Sequence, residues 1–324
     1  MKLYIPTSIS EKDHLILLGR KDSVYSTLLK DADQLSYVKA RIEKDKELVI
    51  LNNLKRVIII HILKDEEQGI STRMEDARKA AFSIHKALNE HDIESVIIQN
   101  AGVDPEEVTA YAEGLALSNY QFLRYLSDAD KKKHTLLSAG VVSDRVDVTQ
   151  LETINKVITG VWKARDLVNE PLSYLTAVKL SEEIEKMGQE SGFSVEVFTK
   201  KKIESLKMGG LLAVNKGSLD PPTFSILTWK PENSLNEHPV VLVGKGIVYD
   251  TGGLSLKPTH DSMDYMKCDM GGSAAVVGFM CAVASNKLPI HVIGLVPATE
   301  NRPDGNAYVP GDVIDMYNGM TVEV

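Results

Sequence analysis

Between residues 48 and 126, short β-branched apolar runs alternate with longer helical segments. Residues 48–51, 57–63 and 96–98 read as strands, and the segments near 72–90 and from Pro105 onward read as helices, the pattern of an α/β layer fold. Thr72 with Glu75 three residues later fits a capping box, while Asp104-Pro105-Glu106-Glu107 supplies a cap residue, a first-turn proline and two acids. Apolar positions at Ile154, Val157, Ile158, Val161 and Leu167 predict a helix over 151–168, ended by Asn169-Glu170-Pro171 and connecting two domains. The α/β pattern then resumes, with a helix over 177–189 and strands near 195–198, 224–229, 240–243 and 290–296. At the end, 313–317, Asn318-Gly319 and 321–324 read as strand, hairpin turn and strand. No element follows this hairpin, which leads us to expect a chain cut inside a domain. The expected division is a first domain over 1–150, a linker helix over 151–170 and a second domain over 171–324.

Composition narrows the class. The 324 residues carry 37 basic and 45 acidic side chains, a net charge of −8, with 43% hydrophobic and 25% charged residues, which fits a soluble globular protein and argues against disordered, fibrous or membrane-embedded chains. The acidic balance makes nucleic acid a poor partner. Two cysteines, Cys268 and Cys281, are too few for a disulfide framework and suggest a reducing, cytoplasmic setting. Residues 1–14 lack the apolar core of a signal peptide, and the run 57–63, interrupted by His61, is far short of the ~20 residues that span a bilayer, so no membrane partner is expected. Lys131-Lys132-Lys133 reads as a solvated loop.

Several catalytic signatures are absent: His-Glu-x-x-His, Gly-x-Ser-x-Gly, Cys-x-x-Cys and the phosphate-binding loop. The near miss Gly271-Gly272-Ser273-Ala274-Ala275 reads as small residues that let a helix pack closely on a sheet. Eight scattered histidines, none at helical i, i+4 spacing, give no zinc motif. One region differs, because at 240–275 an apolar strand runs straight into glycines, lysines and aspartates. Lys245, Asp250, Lys257 and Asp269 would then fall where strands end and loops begin, the usual place for reactive groups in an open α/β sheet. Each could be a loop residue in an ordinary salt bridge. Together they suggest a metal site: carboxylates ligate divalent cations, a lysine beside a cation can lose its proton and donate nitrogen, and a second, charged lysine suits a developing oxyanion. Lys245 and Asp250 lie five apart, on opposite faces of an unbroken strand. A shared metal therefore requires a bulge or turn between them, expected near Gly246.

Three stretches carry a family resemblance: Val-Gly-Lys-Gly-Ile-Val-Tyr-Asp-Thr-Gly-Gly-Leu-Ser-Leu-Lys-Pro (243–258), Met-Lys-Cys-Asp-Met-Gly-Gly-Ser-Ala-Ala-Val (266–276) and Pro-Ala-Thr-Glu-Asn-Arg-Pro-Asp-Gly-Asn-Ala-Tyr-Val-Pro-Gly-Asp (297–312). In this order they closely resemble the leucyl (cytosol) aminopeptidases, with the likeness strong from about Arg165 and weaker before it. The resemblance implies a macro-like α/β N-terminal domain and an α/β catalytic domain with a mixed sheet flanked by helices. It also implies a homohexamer acting on peptides, with two divalent ions, manganese or zinc, that release N-terminal leucine and other apolar residues. By motif position it makes Lys245, Asp250 and Asp269 metal ligands, with Asp250 bridging. Lys257 becomes the catalytic lysine that meets the substrate's gem-diolate, and Met266 a lining of the first side-chain pocket. Around Thr259-His260-Asp261 the chain has one residue more than many members. In the family, Thr-Val-Glu-Val is followed by Asn-Thr-Asp-Ala-Glu-Gly-Arg, which brings two more carboxylates and an arginine that holds bicarbonate. Here Val324 is the last residue, so we expect a fragment lacking full activity. The alternative is a noncatalytic binding or regulatory protein that kept the fold.

Overall fold

Continuous apolar runs, rather than alternating ones, build the first sheet. The computed structural model describes residues 1–64 and 69–324 and divides into two units, Met1–Ile158 and Thr159–Val324. The first unit contains β1 (Lys2–Tyr4), β2 (His14–Gly19), α1 (Ala32–Ile42), β3 (Leu48–Asn52), β4 (Val57–Ile62), α2 (Ile70–Glu90), β5 (Ser95–Asn100), α3 (Pro105–Ser118), the short α4 (Ala129–Lys132) and β6 (Ser138–Val142). Its sheet runs β1-β6-β5-β2-β4-β3, parallel except for the edge strand β3. All of β4 and nearly all of β2 are buried, as expected for parallel strands covered on both faces. Asp104 caps α3, and Glu107 completes the box by accepting from the Asp104 N–H at 3.3 Å. The buried Glu107 carboxylate also takes Arg20 at 2.7 Å.

The helix α5 (Val148–Asn169) contains the division between the units. The second unit continues with α6 (Ala177–Ser191), β7 (Ser194–Phe198), α7 (Lys200–Ser205), α8 (Gly209–Asn215), β8 (Thr223–Trp229), β9 (Val240–Val243), β10 (Gly246–Asp250), α9 (Gly271–Ser285), β11 (Val292–Asn301), and the hairpin β12 (Val313–Asp315) and β13 (Thr321–Glu323). The central strand β11 is antiparallel to β8 and parallel to both β9 and β10, which makes a mixed sheet flanked by helices. The stretch Met263–Ser285 has the length and hydropathy of a membrane span. Its helical part is a core element instead: Ala274, Val277, Met280, Cys281 and Ala284 are buried in the second unit's core, the usual situation of a helix apolar all round. Small residues permit this packing, since a Cβ at Gly160 would come within 2.5 Å of the Gly278 carbonyl oxygen.

Several expectations need correction. Helix α2 starts at Ile70 with Gly69 as its cap, so Thr72 lies inside it and Glu75 pairs with Arg78 and Lys79 rather than closing a capping box. Salt partners three and four residues on compete successfully for that carboxylate. Strand β11 extends past 296 to Asn301: Pro297, which reads as a strand breaker, has its carbonyl packed against Gly246 while the ladder continues on both sides. Lys131 and Lys132 sit on a single exposed helical turn rather than in a loop. Strands β1, β2 and β6 and helix α1 were not anticipated.

Two predictions follow from the packing. Gly160→Ala must push a backbone carbonyl rather than a flexible side chain, so it should destabilise the protein by about 1–3 kcal/mol in urea denaturation; an unchanged midpoint would contradict the close crossing. His61 is buried, bonded through Nδ1 to the Tyr111 hydroxyl at 2.9 Å, and burial lowers its pKa to about 4. With the unfolded value near 6.5, the unfolded chain binds the extra proton first as pH falls. Stability should therefore drop by about 2 kcal/mol between pH 7 and pH 5, and this component should vanish in His61→Gln. An equal drop in both proteins would show that His61 is not responsible.

Candidate metal and active site

The site is built where one strand breaks and resumes along β11. Val243 stands opposite Leu295 and Gly246 opposite Ala298, so β9 and β10 keep one register with Gly244 and Lys245 between them. The register then slips by one residue between Ile247 and Tyr249, and Asp250 comes opposite Asn301. Lys245 thus falls in the gap between the two strands at the level of Pro297, and Asp250 stands opposite Asn301, four residues further along β11. The extra residue at Val248 cancels the odd five-residue spacing, as a bulge must. It lies two residues past Gly246, where it was expected. Gly246 is needed for a different reason, since a Cβ there would meet the Pro297 carbonyl oxygen at 2.4 Å.

Each lysine is brought to one aspartate. Lys245 Nζ donates to Asp269 Oδ1 at 2.9 Å and lies 2.8 Å from Oδ2. Lys257 Nζ donates to Asp250 Oδ2. Asp269 follows a 3-10 turn, Met263–Cys268, and lies two residues before the start of α9. The two pairs are tied through the backbone: Ser273 N–H donates to the Lys245 carbonyl at 3.0 Å, and the Tyr249 hydroxyl donates to the Met263 carbonyl at 3.1 Å. Lys257 reaches Asp250 because the chain turns back at Gly252 and Gly253, with φ of +87° and +66°, and Lys257 N–H bonds the Thr251 carbonyl at 2.9 Å. Met266 is half-buried on the 3-10 turn and accepts the Asp269 N–H at 3.3 Å.

Asp250 carries the most developed environment. Burial pushes its pKa up, but hydrogen bonds from Lys257, the Gly252 N–H and Asn301, with the charge of Lys257, outweigh this and hold the carboxyl below its ordinary value. Asn301 is the site residue that reasoning from the sequence missed. Its only signal there was its place in the 297–312 stretch, whereas its role comes from strand register.

Among the described residues, no three His, Cys, Asp or Glu side chains cluster to hold a metal. The available donors are therefore two carboxylates and two amines. Asp269 Oδ2 is buried and accepts no hydrogen bond from the described residues, the Lys245 contact at 2.8 Å being an ion pair outside hydrogen-bond geometry. A buried anionic oxygen with a spare lone pair fits a divalent cation, and the ammonium beside it already places a positive charge there. Lys245, Asp250 and Asp269 thus suit a hard cation, with two negative charges to balance one such ion; a pair of ions requires further acidic ligands.

Residues 162–324 match the cytosol aminopeptidase family, catalytic domain. A probable cytosol aminopeptidase of Chloroherpeton thalassium is 37% identical over 98% of this chain and 66% of its own. The corresponding protein of Chlorobium limicola is 43% identical over 79% of this chain and 55% of its own. The chain therefore spans between about half and two thirds of these relatives. Among solved structures, the bottromycin maturation enzyme BotP in complex with Mn superposes with a TM-score of 0.79 at 28% identity, covering 95% of this chain and 64% of that one. A mutant of tomato leucine aminopeptidase shares the fold with a TM-score of 0.83 at 23% identity over all of this chain and 67% of its own.

The glycine turn gives a direct test. Gly252→Ala combines a positive φ with a Cβ 2.4 Å from the Ser255 carbonyl oxygen, and should cost more than about 1 kcal/mol of stability. Gly271→Ala, at the first helical residue of α9 with nothing within 4 Å, should stay within about 0.5 kcal/mol of the parent. Equal thermal shifts for both variants would contradict the turn described here.

Proposed function

We propose, since the chain belongs to the cytosol aminopeptidase family, that its protein is a metal-dependent aminopeptidase and that the two lysine–aspartate pairs belong to its active centre. The observation that carries this reading is the buried Asp269 Oδ2 beside Lys245, at the strand break that leads into β10 and Asp250. Lys245, Asp250 and Asp269 would hold divalent metal, and the manganese named with BotP supports that cation class. Bound divalent ions supply Lewis-acid polarisation of the scissile carbonyl and an acidified water to attack it.

The chain's own groups then divide the work. Asp250 and Asp269 provide negative charge, and Lys245 contributes nitrogen only after losing its proton. Lys257 faces the oxyanion that develops as the carbonyl becomes tetrahedral, a stabilisation worth about 3–4 kcal/mol when a single donor is removed from comparable sites. Asp250 holds that ammonium in place through Oδ2. Met266, half-buried beside Asp269, offers a flexible apolar wall for a leucine-like first residue. Two ions, bicarbonate as a base, a homohexamer and a cytoplasmic setting complete the proposal; the resemblance of the motifs supports them.

In the protein as its gene encodes it, hydrolysis of leucine amide should be lost with chelator and return with Mn2+ or Zn2+. Lys257→Ala should lower kcat by about 100- to 1000-fold with calorimetric metal binding kept, whereas Asp250→Ala should lose metal binding. Metal binding abolished by Lys257→Ala but intact in Asp250→Ala would reverse the roles assigned here.

A further inference from the structure

Asp250 is clamped by a single residue of the neighbouring strand. Asn301 Nδ2 donates to Asp250 Oδ1 at 2.7 Å. The Asn301 carbonyl accepts from Thr251 N–H at 3.0 Å and from Thr251 Oγ1 at 2.8 Å. Its side-chain oxygen packs on Gly253, where a Cβ would sit 2.9 Å away. Three residues in the segment 250–253 thus register on one asparagine, and an acceptor-only carboxylate fixes which end of the amide faces it.

The consequence lies in how the two oxygens of Asp250 are used. Oδ1 accepts twice, from Gly252 N–H at 2.9 Å and from Asn301, and a carboxylate oxygen has about two lone-pair positions. Among the described residues, Oδ2 accepts only from Lys257. The oxygen with capacity left for a cation is therefore Oδ2, and the carboxamide of Asn301 makes that choice. Without it Oδ1 keeps only the Gly252 N–H, which leaves that oxygen a free lone pair able to compete with Oδ2 for a cation.

We infer that Asn301 is a positioning residue: it saturates Asp250 Oδ1 and so presents Oδ2 as the single metal-facing oxygen. This rests on the reading of Asp250 as a metal ligand. Hydrogen-bond partners of ligating carboxylates typically contribute 10- to 100-fold in metal affinity. The backbone clamp on Thr251 uses the Asn301 carbonyl, which side-chain substitution leaves in place.

The test titrates the complete protein with Mn2+, followed by the paramagnetic resonance of the free ion, and records the visible absorption of the Co2+ form. Asn301→Leu and the smaller Asn301→Ser should each weaken Mn2+ binding 10- to 100-fold and shift the Co2+ bands, while the metal-free melting temperature stays within a few degrees of the parent. Binding within twofold of the parent and unchanged Co2+ bands in both variants would overturn the positioning role while leaving the metal site standing. Weakening confined to a variant whose metal-free melting temperature collapses would assign Asn301 to folding alone and also overturn it. A parent protein that binds neither ion would remove the metal reading itself, and the role of Asn301 with it.

Discussion

One extra residue in a strand decides where the chemistry of this protein can sit. Lys245 and Asp250 are separated by an odd number of positions, which on a regular strand sends one to each face. The slip between Ile247 and Tyr249 along β11 absorbs the odd residue, so that the five-residue spacing covers four positions of β11 and Asp250 meets Asn301. That register works only because β11 is a firm reference, held antiparallel by β8 on one side and parallel by β9 and β10 on the other. Helix α9 can then start close beneath the strand break, where Gly244 and Gly272 leave room for the backbones of Ser273 and Lys245.

The second organising feature is charge. Two ammonium groups are matched to two carboxylates within a short span of chain, and the exposed Lys245 has less to lose by releasing its partner than the more buried Lys257 does. This asymmetry fits a division of labour. In the proposed division Lys245 is the metal's nitrogen ligand and Lys257 the partner of the oxyanion. A proton and a metal ion compete for the same nitrogen, so rising pH favours the metal.

Much of this was legible in the sequence, but unevenly. The strands 57–63 and 240–243 and the helices starting at Pro105 and Ala177 were visible because each carries a strong local signal: continuous apolar residues, or a cap followed by periodic positions. Strand β2 was overlooked because the alternation of strands and helices was read only from residue 48 onward, although the run from Leu15 to Leu18 is as apolar as β4. Lys245, Asp250, Lys257 and Asp269 could be picked out because lysines and aspartates among glycines at a strand end are unusual. Their pairing could not, since Lys245 joins Asp269 across 24 residues and Lys257 joins Asp250 across seven through two left-handed glycines. Asn301 was invisible for the same reason: a lone asparagine after a proline-containing strand looks like a loop residue until register sets it against Asp250.

The central claim, that the bulged strand assembles a divalent-cation site from Lys245, Asp250 and Asp269, is tested most directly by anomalous diffraction at the manganese edge from crystals of the complete protein grown with Mn2+. The account predicts an anomalous peak about 2.0–2.3 Å from oxygens of Asp250 and Asp269 and from Lys245 Nζ, with the Lys245–Asp269 pair opened around it. Manganese found only elsewhere, with Lys245 still donating to Asp269 and Lys257 to Asp250, would contradict it.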